Sequence, residues 1–207
     1  DLTFKNSYES ISKYYPEGTF ISSGLSKWCG AGGWRLGFFA VPNKYEEFLK
    51  NLKTLASETY STVNTPTQYA AVEAYQGDHK DYLQKTTNIL GSIGDYVYNK
   101  LKSNKILINK PQGGFYLMPE FTNKKFKSSS QLCQKILEDT GVALLPGSDF
   151  GFKPKKMLAR LSYTDFNGSE FLNNTNVNTV IDDTLIMKYA PNVVEGVEKL
   201  SNWAKKL

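Results

Sequence analysis

Ser22-Ser23-Gly24-Leu25-Ser26-Lys27, followed after a short spacer by Gly33-Trp34-Arg35-Leu36-Gly37-Phe38, is the stretch on which the reading of this chain turns. Phe20-Ile21 runs into small polar residues that end at Lys27, the pattern of a buried strand stopping at a functional loop. Leu36 to Val41 is a continuous apolar run halted by Pro42-Asn43, as expected of a central strand ending in a turn. A lysine partly withdrawn from water loses some of its preference for charge, and its amine can then attack an aldehyde. Of the 25 basic side chains only two, Arg35 and Arg160, are arginines. Arginine grips phosphate or carboxylate through two parallel hydrogen bonds where lysine is a mobile point charge, so these two positions mark where an anion is held. Arg160, in Leu-Ala-Arg-Leu-Ser-Tyr, lies far downstream, and the two segments suggest one site assembled from both halves of the chain.

Outward from that stretch, apolar residues at 45, 48, 49, 52 and 55 have helical spacing, and Pro66 is placed to open a second helix with Tyr69, Val72 and Tyr75 on one face. Gly77-Asp78 interrupts the pattern before Leu83, Leu90, Ile93, Val97 and Leu101 resume it, which predicts a long interdomain helix with a bend. Ile106 to Ile108 and Phe115 to Met118 read as two strands around the Gly-rich turn Pro111-Gln112-Gly113-Gly114. A helix is predicted over 128–139, capped by serines and closed by Gly141, with short strands over 142–145 and 157–163. The Asn-rich segment 167–178 is predicted to be an exposed loop, and 191–207 an amphipathic helix with Val193, Val197, Leu200 and Ala204 or Trp203 inward.

With 207 residues and 40% hydrophobic content the chain can build a real core. Two cysteines, Cys29 and Cys133, make no disulfide framework, and with one histidine, His79, no Cys/His metal cluster is available. Zinc chemistry and Ser-His or Cys-His triads are excluded unless His79 serves, and His79 is placed on an exposed interdomain helix without a catalytic role. Cys29 is read as packing. No run approaches the roughly 20 apolar residues that cross a bilayer, so a cytoplasmic protein without a membrane partner is expected. The net charge of +5 permits weak attraction to polyanions. The lysine groups at 124, 125 and 127 and at 155 and 156 are short and do not alternate with aromatics, so they read as solvated surface and no nucleic-acid partner is expected.

An amine that attacks aldehydes, beside an anion grip, suits pyridoxal 5'-phosphate: Lys27 would hold the aldehyde end while Ser26, Ser23 and Arg35 supply donors to the phosphate. Gly24-Leu25-Ser26-Lys27 followed by Gly33-Trp34-Arg35-Leu36-Gly37-Phe38 resembles the cofactor-lysine motif of class I/II aminotransferases, the aspartate aminotransferase superfamily of fold type I pyridoxal-phosphate enzymes. The resemblance continues through Ser57 to Ser61, Thr65 to Ala71, Pro111 to Leu117, Val142 to Phe150 and Ala159 to Tyr163, in the family's order along nearly the whole chain.

Carried over by position, the resemblance implies that Lys27 bonds the cofactor and moves the proton at the substrate's α carbon, that Ser26, Arg35 and less firmly Ser23 bind its phosphate, and that Arg160 pairs with the substrate's α-carboxylate. Such chemistry needs no histidine. It implies an α/β fold: the last strands of a large mixed sheet in residues 1–90, a long bent interdomain helix, and a smaller α+β C-terminal domain in residues 91–207. It also implies a homodimer in the full-length protein, with Glu58 and Ser61 near the neighbouring subunit's cofactor, and amino acid and 2-oxo acid substrates. Aspartate-selective members carry an extra arginine near the position of Ser57; none stands here, which points to a neutral or aromatic side chain. The family's Gly-rich phosphate turn, ring-stacking aromatic and pyridine-pairing Asp lie upstream of Asp1, so a C-terminal half, inactive alone, is expected. A β-lyase or an aminocyclopropane-carboxylate-synthase type of elimination would use the same Lys/Arg/Arg set, and a non-catalytic module would keep the fold without the cofactor.

Overall fold

The computed structural model describes residues 2–4, 8–122 and 125–207; Asp1 and Lys124, which entered the reading above, lie outside them. Two compact units emerge, one ending at Leu83 and one that begins at Gln84 and takes in Leu2 to Phe4.

In the first unit β1 (Ile21–Gly24) pairs antiparallel with β2 (Gly37–Ala40), Ser23 opposite Phe38 and Gly24 opposite Gly37. Successive side chains leave opposite faces of a strand. Phe39 accordingly meets Phe20 at 5.8 Å between centroids, and Phe20 packs on Tyr45 and Phe48 at the start of α1 (Glu46–Thr59). On the other face Phe38 meets Tyr75 of α2 (Thr65–Gln76) at 5.3 Å. Asn64 caps α2 by accepting from the Thr67 N–H at 3.0 Å, with Pro66 in the first turn, where a missing N–H costs nothing.

These strands are not buried as their apolar runs predict. All four β2 residues are exposed, and among the described residues of this unit only Leu25, Thr67 and Ala71 are buried. A two-stranded ribbon touched by each helix through a few rings has no second layer to cover it. The long helix is also not continuous: α2 ends at Gln76, and α3 (Lys80–Leu101) starts after a turn. Gly77 adopts extended backbone there, and a β carbon on it would stand 2.6 Å from His79 Nε2 and 2.9 Å from the Glu73 carbonyl. His79 therefore sits half-buried on the turn rather than on an exposed helix.

The second unit contains β3 (Ile106–Leu107), β4 (Tyr116–Leu117), β5 (Glu120–Phe121), α4 (Ser129–Thr140), β6 (Leu145–Pro146), β7 (Ala159–Ser162), α5 (Gly168–Asn173), α6 (Asp183–Tyr189) and α7 (Pro191–Ala204). The strands either side of the Gly-rich turn do not pair with each other: β3 pairs with β5, while β4 joins β7 and β6 in the antiparallel order β4-β7-β6. Ser128 caps α4 on the Gln131 N–H and Gly141 closes it at φ +73°, as the residues foretell. The Asn-rich stretch is not all loop. Asn167 accepts from the Glu170 N–H and starts α5, which carries the fully buried Phe171. No described helix is long and apolar enough to cross a membrane.

The core of this unit packs Ile93 and Val97 of α3, Leu132 and Ile136 of α4, Leu161 of β7 and Val197 and Leu200 of α7. Tyr163, just beyond β7, is fully buried and donates its hydroxyl to the Gly114 carbonyl at 3.1 Å. Its ring lies against Gly94 of α3, where a β carbon would meet the Tyr163 hydroxyl at 2.8 Å and Pro111 Cγ at 3.0 Å. Gly94→Ala is therefore expected to destabilise the second unit by about 1–2 kcal/mol despite alanine's better helix propensity, read as a lower urea midpoint. Burial pushes the Cys133 thiol up to about 11. Between a thiol's ordinary value and that point the unfolded chain gives up its proton and the folded chain keeps it, so stability falls as pH rises, by roughly 3 kcal/mol in all. Cys133→Ala should flatten this part of the alkaline stability profile.

Candidate active site

Leu25 anchors the connection from β1 to β2: its N–H donates to Leu36 O at 3.1 Å, and its carbonyl accepts from the Ala31 N–H at 3.1 Å. Below it, Gly24 and Gly37 face each other so closely that a β carbon on Gly37 would come within 2.8 Å of the Ser23 carbonyl. The two glycines let the strands converge, which gathers Ser23, Ser26, Lys27 and Arg35 onto one hairpin and its loop. Ser23 and Ser26 are half-buried, whereas Lys27 is exposed and not withdrawn from water as its apolar upstream run suggests. It stands on the loop beyond the ribbon.

Arg35 is held in the left-handed region at φ +55°, ψ +41°, directly after a 3-10 turn over Gly32–Trp34. A side chain there costs energy, and such strain collects at functional positions. One guanidinium nitrogen, Nη1, donates to the Gly32 carbonyl at 2.8 Å, which leaves the outer N–H groups of the fork for another acceptor. Every ion pair recorded among the described residues is made by a lysine, so neither arginine has a carboxylate partner there.

Arg160 belongs to the second unit, on the central strand β7. Ala159 and Leu161 point into the core, and Arg160 between them faces outward, half-buried. Its Cζ lies 4.4 Å from the centroids of both the Tyr116 and the Phe150 rings. The sequence reading missed these two rings. Phe150 is ten residues away and Tyr116 is brought in only by the pairing of β4 with β7, so the signal was the pairing, which no local pattern carries.

Cys29 and His79 also line one cavity of about 310 Å³, together with Trp28, Glu73 and Tyr82. The Trp28 indole N–H is buried without an acceptor among the described residues, and its ring lies 6.3 Å from that of His79.

One hairpin and its loop thus carry an amine, two hydroxyls and a guanidinium without a carboxylate partner among the described residues, and the second unit carries another such guanidinium. The profile of the family "Aminotransferase class I and II" matches residues 3–170, and the chain belongs to that family. It is 34% identical over 151 residues to the probable N-acetyl-LL-diaminopimelate aminotransferase of Bacillus subtilis (strain 168), an overlap covering 72% of this chain and 37% of that protein. It is 33% identical over 162 residues to the aspartate aminotransferase of Geobacillus stearothermophilus, covering 74% and 39%. An alanine aminotransferase from Pyrococcus furiosus superposes on the whole chain with a TM-score of 0.75 at 25% identity, over 47% of its own length. The chain thus spans under half the length of the relatives it matches.

Ser61, at the end of α1, is also left-handed, at φ +62°, with its N–H donating to Ala56 O at 2.9 Å. Glycine is the usual occupant of such a helix end. Ser61→Gly is expected to stabilise the chain by roughly 0.5–1 kcal/mol, seen as a higher unfolding midpoint.

Proposed function

We propose that this chain is the C-terminal half of a pyridoxal 5'-phosphate-dependent aminotransferase that moves an amino group from an amino acid to a 2-oxo acid. The observation that carries the reading is the single hairpin loop holding Lys27 and the strained, carboxylate-free Arg35. The residues fit the group: Lys27 offers the primary amine, and Ser23, Ser26 and the outer edge of Arg35 offer phosphate donors. When bound, pyridoxal phosphate supplies the carbonyl that receives the amino group and the electron sink that stabilises charge at the substrate's α carbon.

The protein side of the reaction is short. Arg160 would pair with the substrate's α-carboxylate through the edge of its fork. Lys27 would take a proton from the substrate's α carbon and return one, so a single amine would act as base and acid and no histidine is required. Arg35, whose backbone is set by the loop, holds its phosphate charge through a two-point grip. The absence of an arginine at Ser57 favours a donor with a neutral or aromatic side chain.

The thin first unit supports the idea of a piece. With only Leu25, Thr67 and Ala71 buried among its described residues, and rings such as Phe38, Phe39 and Tyr69 exposed, it presents more apolar surface than a finished domain. The whole enzyme is a cytoplasmic homodimer in this reading, and the 207-residue chain alone is inactive. Transamination by that purified chain, free of any longer species, would overturn the second point.

The enzyme class is tested on the longer polypeptide. With added pyridoxal phosphate it should show the visible absorbance of bound cofactor, lost in Lys27→Ala, and turnover that requires a 2-oxo acid. Arg35→Lys should weaken cofactor binding roughly tenfold or more, because a point charge replaces the fork. Steady keto-acid release without a 2-oxo acid would instead indicate a lyase.

A further inference from the structure

Arg160 is held in an unusual way for a charged side chain on a sheet. Its two neighbours arrive from different sides: Tyr116 from β4, which flanks β7 on one edge, and Phe150 from the turn after β6, which flanks it on the other. Both rings lie 4.4 Å from the guanidinium carbon. Rings attract a guanidinium through its faces and take none of its hydrogen bonds. The five N–H donors therefore remain in the guanidinium plane, and the Arg160 side chain donates to no described residue. A guanidinium stacked on rings by its faces keeps its edge as the way in. A carboxylate is planar and matches that edge with two parallel bonds, whereas the third oxygen of a sulfonate must leave the plane towards a ring.

We propose that Tyr116 and Phe150 are positioning residues that present Arg160 edge-on, and that they restrict its ligands to planar carboxylates and reject tetrahedral anions of the same charge. This rests on the reading of Arg160 as the partner of the substrate's α-carboxylate. It adds the two residues that set the angle of approach and a class of compound, amino sulfonates, that the site refuses. Phe150 is 40% exposed, so its substitution leaves the hydrophobic core intact.

With only two arginines in the chain, the side-chain Nε–H signals in an isotope-labelled NMR spectrum of the 207-residue chain are few, and Arg160→Lys assigns the one that matters. Ring currents should place the Arg160 signal upfield of that of Arg35. Pyruvate should move it at millimolar concentration, and methanesulfonate should bind about tenfold more weakly. Phe150→Leu should return the signal downfield, weaken pyruvate about threefold and shrink the preference over methanesulfonate, while Phe150→Tyr should restore all three. If Phe150→Leu moves the signal but leaves affinity and preference unchanged, or if pyruvate never moves the native signal, the proposal is overturned. Cofactor absorbance that depends on Lys27 in the longer polypeptide would, in that event, keep the enzyme class standing and confine the failure to Arg160 and its two rings.

Discussion

The second unit depends on the buried Tyr163 and the hydrogen bond from its hydroxyl to the Gly114 carbonyl. Burial, aided by the charge of Asp95, raises its pKa, so the hydroxyl stays a donor throughout the range in which the protein folds. The ring fits only because Gly94 has no side chain, and the hydroxyl reaches only because Gly114 turns at φ +69°. One side chain thus locks α3, the Gly-rich turn and the end of β7 together. The consequence reaches Arg160. With Leu161 and Tyr163 fixed inward, strand alternation sends Arg160 outward, and a slip of one residue would drive the guanidinium into the core.

What was legible in the sequence was whatever depends on near neighbours. The caps of α2 and α4 follow from Asn64, Pro66, Ser128 and Gly141, whose effects reach only three or four residues. The inward face of α7 follows from the spacing of Val193, Val197 and Leu200. The partners of the short strands were not legible, because β3 finds β5 rather than β4 through contacts distant along the chain. The helix α5 was hidden by its composition: Asn and Gly around Phe171 look like loop until the buried ring is seen to need a turn of helix behind it. The candidate site divides the same way. Ser23, Ser26, Lys27 and Arg35 share one hairpin loop and could be read together, whereas the rings beside Arg160 could not.

The two units solve different problems. The second buries a continuous core and spends its polar groups on caps and ties such as Trp203 Nε1 donating to Asp139 at 2.8 Å. The first buries little, yet carries both non-glycine residues with left-handed backbone found among the described residues, Arg35 and Ser61. Strain of that kind persists only where surrounding bonds over-determine it. At Arg35 those bonds are the Leu25 to Leu36 bond and the glycine pair beneath it, so the ribbon's close approach supports the orientation of its one guanidinium.

The use of arginine then has a physical logic that net charge does not capture. The lysine ion pairs, such as Lys13–Glu9 and Lys199–Glu195, are solvent-exposed and screened by salt, so they contribute little. If charge alone were wanted at positions 35 and 160, lysine would serve there too. What differs is the planar fork. At Arg35 the loop turns it by backbone strain and one bond to Gly32, and at Arg160 two rings lie against it without consuming a donor. Both devices set direction and leave hydrogen-bonding capacity unspent, which is what a side chain that must meet an anion at a defined angle requires.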